Sequence, residues 1–353
     1  MKTNKKFRCL TLAVLGALAV SSCDKPKTNA PVSEFEFDTN SQIVYSNIQN
    51  LNIASLRGGS GCEEILAFET MEDFKHTMNE LERQCEAYDD GFVAHFDNLD
   101  EEELYNKEQE LNYSEFKPNT DFENYFQFAS SNADYLVAEA QYLEQGDLNE
   151  ADDPENHFIG EPEERSLLNS CNEVVINDTI YKLTENGYFE ISDGDFGKLA
   201  LLDAFGEDLP ENVRFVGGEN SSSMRSVYCA TVWGDSDYKS NSSETRKIRW
   251  WLKKSDQPWG GYLTAKTRNI KKRNNGKWRI YRTKAKAGVS GQYSHPYCSP
   301  EYNVPTNGPK EKKRRTVKQK VWVPKSYTIN SGKLHGYHWG AGGIEHNSTL
   351  IWQ

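Results

Sequence analysis

Hydrophobic residues in the first part of the chain recur at the three- and four-residue spacing of an α-helix. The clearest helical face is formed by Phe74, Met78, Leu81, Cys85 and Tyr88. Such a stripe faces the core, while the acids between its members stay in water. Thr70 precedes the run and Asp73 follows three residues later, which is typical of a helix N-cap and its acidic partner. The pattern predicts a long amphipathic helix that begins after Thr70.

Shorter patterns around this helix predict a mixture of helices and strands. The expected elements are a strand at 64–68, helices at 101–111 and within 121–143, an acidic loop at 147–165, a hairpin of 173–183 and 188–191, and a short helix at 198–205. Asn186-Gly187 supplies the hairpin turn, because both residues tolerate positive φ angles. Helices therefore dominate the first part of the predicted fold.

Beyond about residue 246 the pattern changes to the alternation of β-strands. Runs rich in aromatic and β-branched residues occupy 247–253, 262–270, 277–293 and 316–323. In the third run, Trp278 and Ile280 fall on one face of the strand and Lys277 on the other. Asn274-Asn275-Gly276 is a turn signal before it. The predicted fold class is an α+β N-terminal domain, dominated by helices, followed by an all-β C-terminal domain, an antiparallel sandwich or barrel.

A basic flank and a short apolar run open the chain. Residues 1–22 hold four bases and no acid, and the apolar stretch 9–20 is too short to span a bilayer stably. Val-Ser-Ser precedes Cys23, which resembles the bacterial lipobox and predicts a signal peptide and diacylation of Cys23. Residues 23–33 are polar and form a tether. We expect an outer-membrane lipoprotein of the cell envelope, attached to the membrane through its N-terminal lipid, with periplasmic and surface-facing orientations both open.

Charge divides the chain more sharply than its net value of −12 suggests. Residues 23–244 carry a net charge of −36, whereas residues 245–353 carry +20, and all eight tryptophans lie beyond residue 232. Compositions this different predict two separately built domains. We place an acidic domain at 34–218 and a basic, tryptophan-rich β domain at 219–353, with the stretch 239–244 as the alternative boundary. No apolar run after the leader reaches the ~20 residues of a membrane helix, which excludes an integral transporter or channel.

Two short motifs resemble a known group of proteins. The run LAFETMEDF at 66–74 is similar to the strand-to-helix opening of uncharacterised Bacteroidetes lipoproteins, and INDTIYK at 176–182 is similar to a later strand of those proteins. Many of them also carry a basic, tryptophan-bearing β tail. The resemblance covers residues 60–353 and implies a domain of unknown function, without an activity or catalytic residues to transfer.

The mixture of tryptophan and basic residues in 246–286 is the strongest candidate for a binding site. The candidate ligand-binding residues are Trp250, Trp251, Trp259, Trp278, Arg249, Lys253, Arg279 and Arg282. Flat aromatic rings stack on sugars, and cations contact phosphate, sulfate or carboxylate groups, which predicts an anionic polymer or a glycan as the partner. Two alternatives stay open. The aromatic residues form a core beneath a solvated basic face, or the basic domain docks on the acidic domain.

Five cysteines follow Cys23, and outside the cytoplasm they are able to form disulfides. The pairings that stay within one predicted domain are Cys62–Cys85 and Cys229–Cys298, which leaves the fate of Cys171 open. No CxxC motif occurs, which argues against a thiol oxidoreductase or a zinc ribbon.

The glycine-rich tail holds three histidines that are weak candidates for zinc ligands: His335, His338 and His346. Their spacing lacks an HExxH motif, so we expect no metal and no cofactor. The basic run KEKKRR at 310–315 is expected to be a solvated hairpin loop.

No catalytic motif is found, and a small-molecule substrate is not expected. The sequence therefore predicts a non-catalytic, lipid-anchored envelope protein whose basic β domain binds an anionic or carbohydrate partner. One alternative is a structural or assembly lipoprotein with mutually docking domains and an envelope protein as partner. The other is a glycan-active hydrolase, which requires a cleft lined by two carboxylates.

Overall fold

The strand and the helix predicted around residue 70 are both present in the computed structural model of the chain. Strand β2 spans Glu64–Phe68, and helix α2 spans Met71–His95. The Thr70 hydroxyl accepts a hydrogen bond from the backbone N–H of Asp73 at 3.0 Å, so the predicted N-cap is confirmed. The structure describes residues 43–57, 62–145, 148, 152–202, 208–217, 234–294, 300–325 and 327–351. The leader, Cys23 and the tether lie outside these residues.

The first part of the described chain is a six-stranded sheet with helices. The strands, in spatial order, are β1 (Ile48–Asn52), β2, β3 (Glu173–Ile176), β4 (Thr179–Thr184), β5 (Gly187–Ile191) and β6 (Val213–Gly217). The helices are α1 (Ala54–Arg57), α2, α3 (Glu101–Glu110), α4 (Lys117–Phe126), α5 (Ser131–Leu143), α6 (Pro162–Arg165) and α7 (Phe196–Ala200). Neighbouring strands are antiparallel except β2 and β3. That parallel pair requires a long crossover, which α2 to α6 supply.

Several predicted elements of the first part differ in detail from the observed ones, and the short helix expected at 198–205 is observed at Phe196–Ala200. The helix expected within 121–143 is two helices, because α4 ends at Phe126 and the next residue, Gln127, has a left-handed φ angle of 50°. The expected loop at 147–165 contains α6 and a 3₁₀ turn at Pro154–Asn156. The long strand at 173–183 is split into β3 and β4 by a turn at Asn177-Asp178. Both residues adopt positive φ angles, which asparagine and aspartate tolerate better than most residues.

The second part of the described chain consists of antiparallel strands, as predicted, but the strand expected at 277–293 is two strands that belong to different sheets. They are β7 (Gly234–Ser240), β8 (Arg246–Gln257), β9 (Gly260–Lys272), β10 (Trp278–Ile280), β11 (Thr283–Ser294), β12 (Glu301–Asn303), β13 (Lys310–Arg314), β14 (Thr316–Val323), β15 (Leu334–Gly340) and β16 (Ile344–Thr349). One sheet runs β7-β8-β9, and β10 and β14 both pair with β9. The other sheet runs β16-β15-β11, and β12 and β13 both pair with β11. The described fold is mixed α/β with antiparallel sheets in the C-terminal region.

The hydrophobic interior connects these elements. Side chains from both C-terminal sheets share one cluster, which includes Leu252 and Leu263 on the first sheet and Val289 and Leu334 on the second. All described residues belong to one compact unit, Asp38–Gln353.

The predicted boundary between 34–218 and 219–353 stays a prediction. We call the described part of the first range the acidic half and that of the second the basic half. Among the described residues, no helix combines the length and apolar character that a membrane crossing requires.

Candidate functional site

The four candidate tryptophans are packed in the interior. Trp250, Trp251, Trp259 and Trp278 are each at most 4% exposed. Trp250 stacks on His346, and the guanidinium groups of Arg249 and Arg268 lie 5.1 Å and 5.5 Å from the centre of the Trp251 ring. This burial agrees with the alternative left open by the sequence, in which the aromatic residues form a core. The physical reason is that β8 and β9 are covered on both faces, so their inward and outward side chains are both buried.

The three candidate arginines are held by acids of the acidic half. Arg249 lies 3.0 Å from Asp153, and Arg279 lies 2.6 Å from Glu102. Arg249 is fully buried and Arg279 is 8% exposed. A guanidinium in this position has its charge neutralised by a carboxylate and its donors directed at fixed acceptors. These two arginines are thus positioned by internal partners.

Arg282 on the loop before β11 has the most enclosed environment of the three. Its guanidinium contacts Asp89 of α2 at 2.6 Å and Glu108 of α3 at 2.9 Å, and all three side chains are at most 3% exposed. The hydroxyl of Tyr113 donates to the same Asp89 carboxylate at 2.8 Å. These carboxylates raise the pKa of Arg282, although burial acts in the opposite direction. The buried charges therefore satisfy one another across the two halves.

Further pairs of the same kind extend along the contact between the halves. They include Arg314 with Asp90, Arg315 with Glu108, Lys318 with Glu161, Lys320 with Glu82, Arg268 with Glu155, and Lys271 with Glu102. The run at 310–315 takes part in this contact. It is mostly strand β13, paired with β11, so the expectation of a solvated loop is wrong. Lys310, Lys312 and Arg314 of this run contact acids of α2, and Arg315 contacts Glu108 of α3.

Several of the acids have shifted pKa values for the same reason. Burial alone would raise the pKa of Glu155, but Lys266 and Arg268 hold it well below its ordinary value. Lys318 and Lys320 likewise outweigh burial at Glu82 and lower its pKa to about 2. Both carboxylates are therefore charged at neutral pH and attract the cations that face them.

Lys253 is the candidate residue that lines an open volume. A cleft of about 540 Å³ lies between the two halves. Its lining comes from 156–160, the β4–β5 turn, the first residues of β7 and the last residues of β8. Lys253 donates to the backbone carbonyl of Glu155 at 3.1 Å. A cleft of this size is large enough for a small ligand or for one or two sugar units.

The cleft contains groups of both charges. Burial lowers the pKa of Lys253 to about 8, and Glu155 opposes this effect. Burial also lowers the pKa of His157 on the same wall, so this imidazole is neutral at pH 7. Three carboxylates belong to the lining: Glu185, Asp235 and Asp256. The lining therefore offers two lysines, Lys253 and Lys254, for an anionic group, with acceptors and donors for hydroxyl groups around them.

The described cysteines pair differently from the expectation. Cys62 forms a disulfide with Cys171, with Cα atoms 6.2 Å apart. The expected Cys62–Cys85 pairing is wrong, because α2 carries Cys85 away from Cys62 to face α4. Its thiol donates to the side-chain oxygen of Asn119. Cys229 and Cys298 lie outside the described residues.

The three candidate histidines do not converge on one point. His338 is fully buried and lies between the hydroxyls of Thr267 and Ser348, and burial lowers its pKa to about 3. His335 contacts Thr349 instead. Among the described residues, no group of three or more histidine, cysteine or acidic side chains is placed to hold a metal ion.

Sequence reasoning missed the acidic partners of the candidate cations. Asp89 lies on α2, whose acids were expected to face water, and Glu108 lies on α3, yet both are nearly fully buried. The sequence does indicate that such partners exist, because net charges of −36 and +20 in the two parts predict ion pairs between them. That signal does not identify which acid meets which base.

The chain has weak similarity to known structures. No protein-family model matches the chain, and no curated protein matches it. Among solved structures, a DUF4848 family protein from Bacteroides thetaiotaomicron is a structural neighbour. It has 11% sequence identity and a TM-score of 0.19, over 85% of this chain and 99% of that chain. A similarity of this strength carries no argument about function.

Proposed function

We propose that the protein is a non-catalytic, lipid-anchored component of the cell envelope that binds an acidic carbohydrate in the cleft at Lys253. One observation carries the proposal. Of the eight residues that the sequence singles out, Lys253 is the one on the wall of the 540 Å³ cleft. An ammonium group that is partly desolvated gains more from an anionic partner than one in open water.

The polar lining supports a sugar as the carrier of that anionic group. Hydroxyl groups on a sugar ring donate to carboxylates such as Asp235 and Asp256, while a ring carboxylate accepts from Lys253. An acidic monosaccharide unit combines both features. Attachment through Cys23 would keep this cleft at the envelope, where such polymers occur.

Binding of oligogalacturonate to the mature chain, measured by calorimetry, tests the proposal. We expect Lys253→Gln to weaken binding at least tenfold, since a charge-assisted hydrogen bond contributes roughly 1.5–3 kcal/mol. Lys284→Gln, which removes an exposed lysine from β11, serves as the matched control and should leave affinity unchanged. Equal affinity in both variants, or no binding even at low salt, would overturn the proposal.

A second candidate function follows from the ion pairs between the halves. In that case the two halves serve each other as a structural or assembly lipoprotein, and an envelope protein is the partner. Arg282, enclosed by Asp89 and Glu108, is the observation that favours it. Recovery of one fixed envelope protein after cross-linking in intact cells, without binding of any acidic glycan, would support this candidate over the first.

The carboxylates of the cleft also allow a direct test of catalysis. A glycosidase needs two of them flanking the scissile bond. We expect no release of reducing ends from oligogalacturonate, xylan or heparin. Release that disappears in the Asp256→Asn variant would contradict the non-catalytic proposal and favour a hydrolase.

A further inference from the structure

The outer face of the second C-terminal sheet, built from β11, β15 and β16, presents a row of aromatic side chains. Exposure alternates along β15. Leu334, Gly336, His338 and Gly340 point inward and are buried, whereas His335, Tyr337 and Trp339 are half-buried or exposed on the opposite face. Residues two apart on a strand share a face and lie roughly 7 Å from each other. Tyr337 and Trp339 are therefore neighbouring rings on one surface.

The register of the sheet shows what surrounds these rings. The cross-strand neighbours on the same face are Lys286 and Glu345 beside Trp339, Gly288 and Asn347 beside Tyr337, and Ser290 and Thr349 beside His335. Directly opposite residues of antiparallel strands share a face. Hydroxyl and amide groups thus flank the aromatic row. A Cβ atom placed on Gly288 would lie 3.0 Å from the ring of Pro309. Pro309 therefore borders the aromatic row at this position.

Bases and acids are mixed on this face. The ammonium group of Lys286 lies 2.8 Å from Glu311 and 5.7 Å from the centre of the Trp339 ring. Glu345 lies on the other side of Trp339. A face that mixes both signs of charge attracts no polyanion from a distance. Its chemistry is that of flat apolar rings in a setting of neutral hydrogen-bonding groups.

We propose that this face, defined by Tyr337, Trp339, Ser290 and Asn347, binds a neutral polysaccharide chain. The rings of Tyr337 and Trp339 stack on the apolar faces of sugar rings. Asn347 and Ser290 exchange hydrogen bonds with the hydroxyl groups at the ring edges. The occupant is distinct from the acidic sugar proposed for the cleft, and the inference does not depend on that proposal.

Affinity electrophoresis of the mature chain in gels that contain hydroxyethylcellulose, xylan or dextran tests the inference. We expect at least one of these neutral polymers to retard the wild-type chain. Trp339→Ala should weaken that binding at least tenfold, while Trp339→Phe should retain most of it. Trp322→Ala, which removes an exposed tryptophan on β14, is the matched control and should bind as the wild type does.

The Lys253→Gln variant separates this inference from the proposed function. We expect it to bind the neutral polymer normally and to lose only oligogalacturonate. Tyr337→Ala gives a second test if Trp339→Ala does not fold. The inference is overturned if no polymer retards the chain, if Trp339→Ala and Tyr337→Ala bind like the wild type, or if the face proves to join two copies of the chain.

Discussion

The rings of Phe74 and Trp259 lie 4.4 Å apart between centroids, with their planes at 40°. Phe74 belongs to α2 in the acidic half, and Trp259 lies in the turn between β8 and β9 in the basic half. Trp259 is 1% exposed and is part of the same hydrophobic cluster as Leu66, Phe68 and Met78. One side chain of the basic half is therefore a core residue of the acidic half. The two halves share apolar packing as well as charge.

Truncation of this shared residue is expected to destabilise the whole chain. Trp259→Ala removes a large buried side chain and should lower the free energy of unfolding by roughly 3–5 kcal/mol. Urea denaturation measures the change. Trp322→Ala serves as the control, because Trp322 is 38% exposed and its truncation should cost less than about 1 kcal/mol. Equal effects of the two substitutions would contradict a core role for Trp259.

Removal of the Arg282 charge should be costly because Asp89 and Glu108, both buried, each lose one of the two arginines that they contact. We expect Arg282→Met to lower the free energy of unfolding by roughly 3–5 kcal/mol. Lys117→Met serves as the control, because it breaks an ion pair with Asp121 in which the lysine is 50% and the aspartate 57% exposed. It should change the free energy of unfolding by at most ~1 kcal/mol. High salt should leave the Arg282 effect in place, since buried pairs are screened little. A small effect of Arg282→Met would show that the two carboxylates do not depend on it.

The sequence predicts features that depend on neighbouring residues and misses those that depend on distant ones. β2 and the Thr70 cap are correct because a five-residue run and one side chain define them locally. The burial of Asp89 and Glu108 could not be predicted, because it depends on Arg282, which lies more than 170 residues away along the chain. The burial of the tryptophans could not be predicted for the same reason. The alternation along β8 indicates a strand but does not show that other elements cover both of its faces. The sequence gives Lys253 only as a candidate, and the cleft around it depends on the tertiary structure.

Glu164 makes stability depend on pH. It is fully buried, its Oε2 accepts from the Tyr262 hydroxyl at 2.5 Å, and burial raises its pKa to about 7. The folded chain therefore keeps a proton that the unfolded chain loses above pH ~4.5, so the Glu164 contribution to stability falls as pH rises from 4.5 to 7. The free energy of unfolding of Glu164→Gln, relative to that of the wild type, should rise by roughly 3 kcal/mol between pH 4.5 and 7 and should not rise further above pH 7. A difference that does not change with pH, measured by urea denaturation at each pH, would contradict the assignment.

The Cys62–Cys171 disulfide closes a loop with a sequence separation of 109 residues. In the chain-entropy model, a loop of this length stabilises the folded state by roughly 4–5 kcal/mol. We expect the double variant Cys62→Ala and Cys171→Ala to lower Tm markedly, as measured by calorimetry. Cys85→Ala removes a free thiol and should lower Tm much less. A larger effect of Cys85→Ala would indicate that Cys85 takes part in the disulfide.

Coincidence of unfolding in the two halves is the most direct test that they form one docked structure. Tryptophan fluorescence reports residues beyond 232, whereas the far-UV helical signal reports α1 to α7, which among the described residues lie between 54 and 200. Both signals are followed on the mature chain in one urea titration. We predict a single transition with the same midpoint by both probes, because Trp259 and the buried ion pairs couple the halves. Two separate midpoints, with one half unfolding while the other stays folded, would contradict the account.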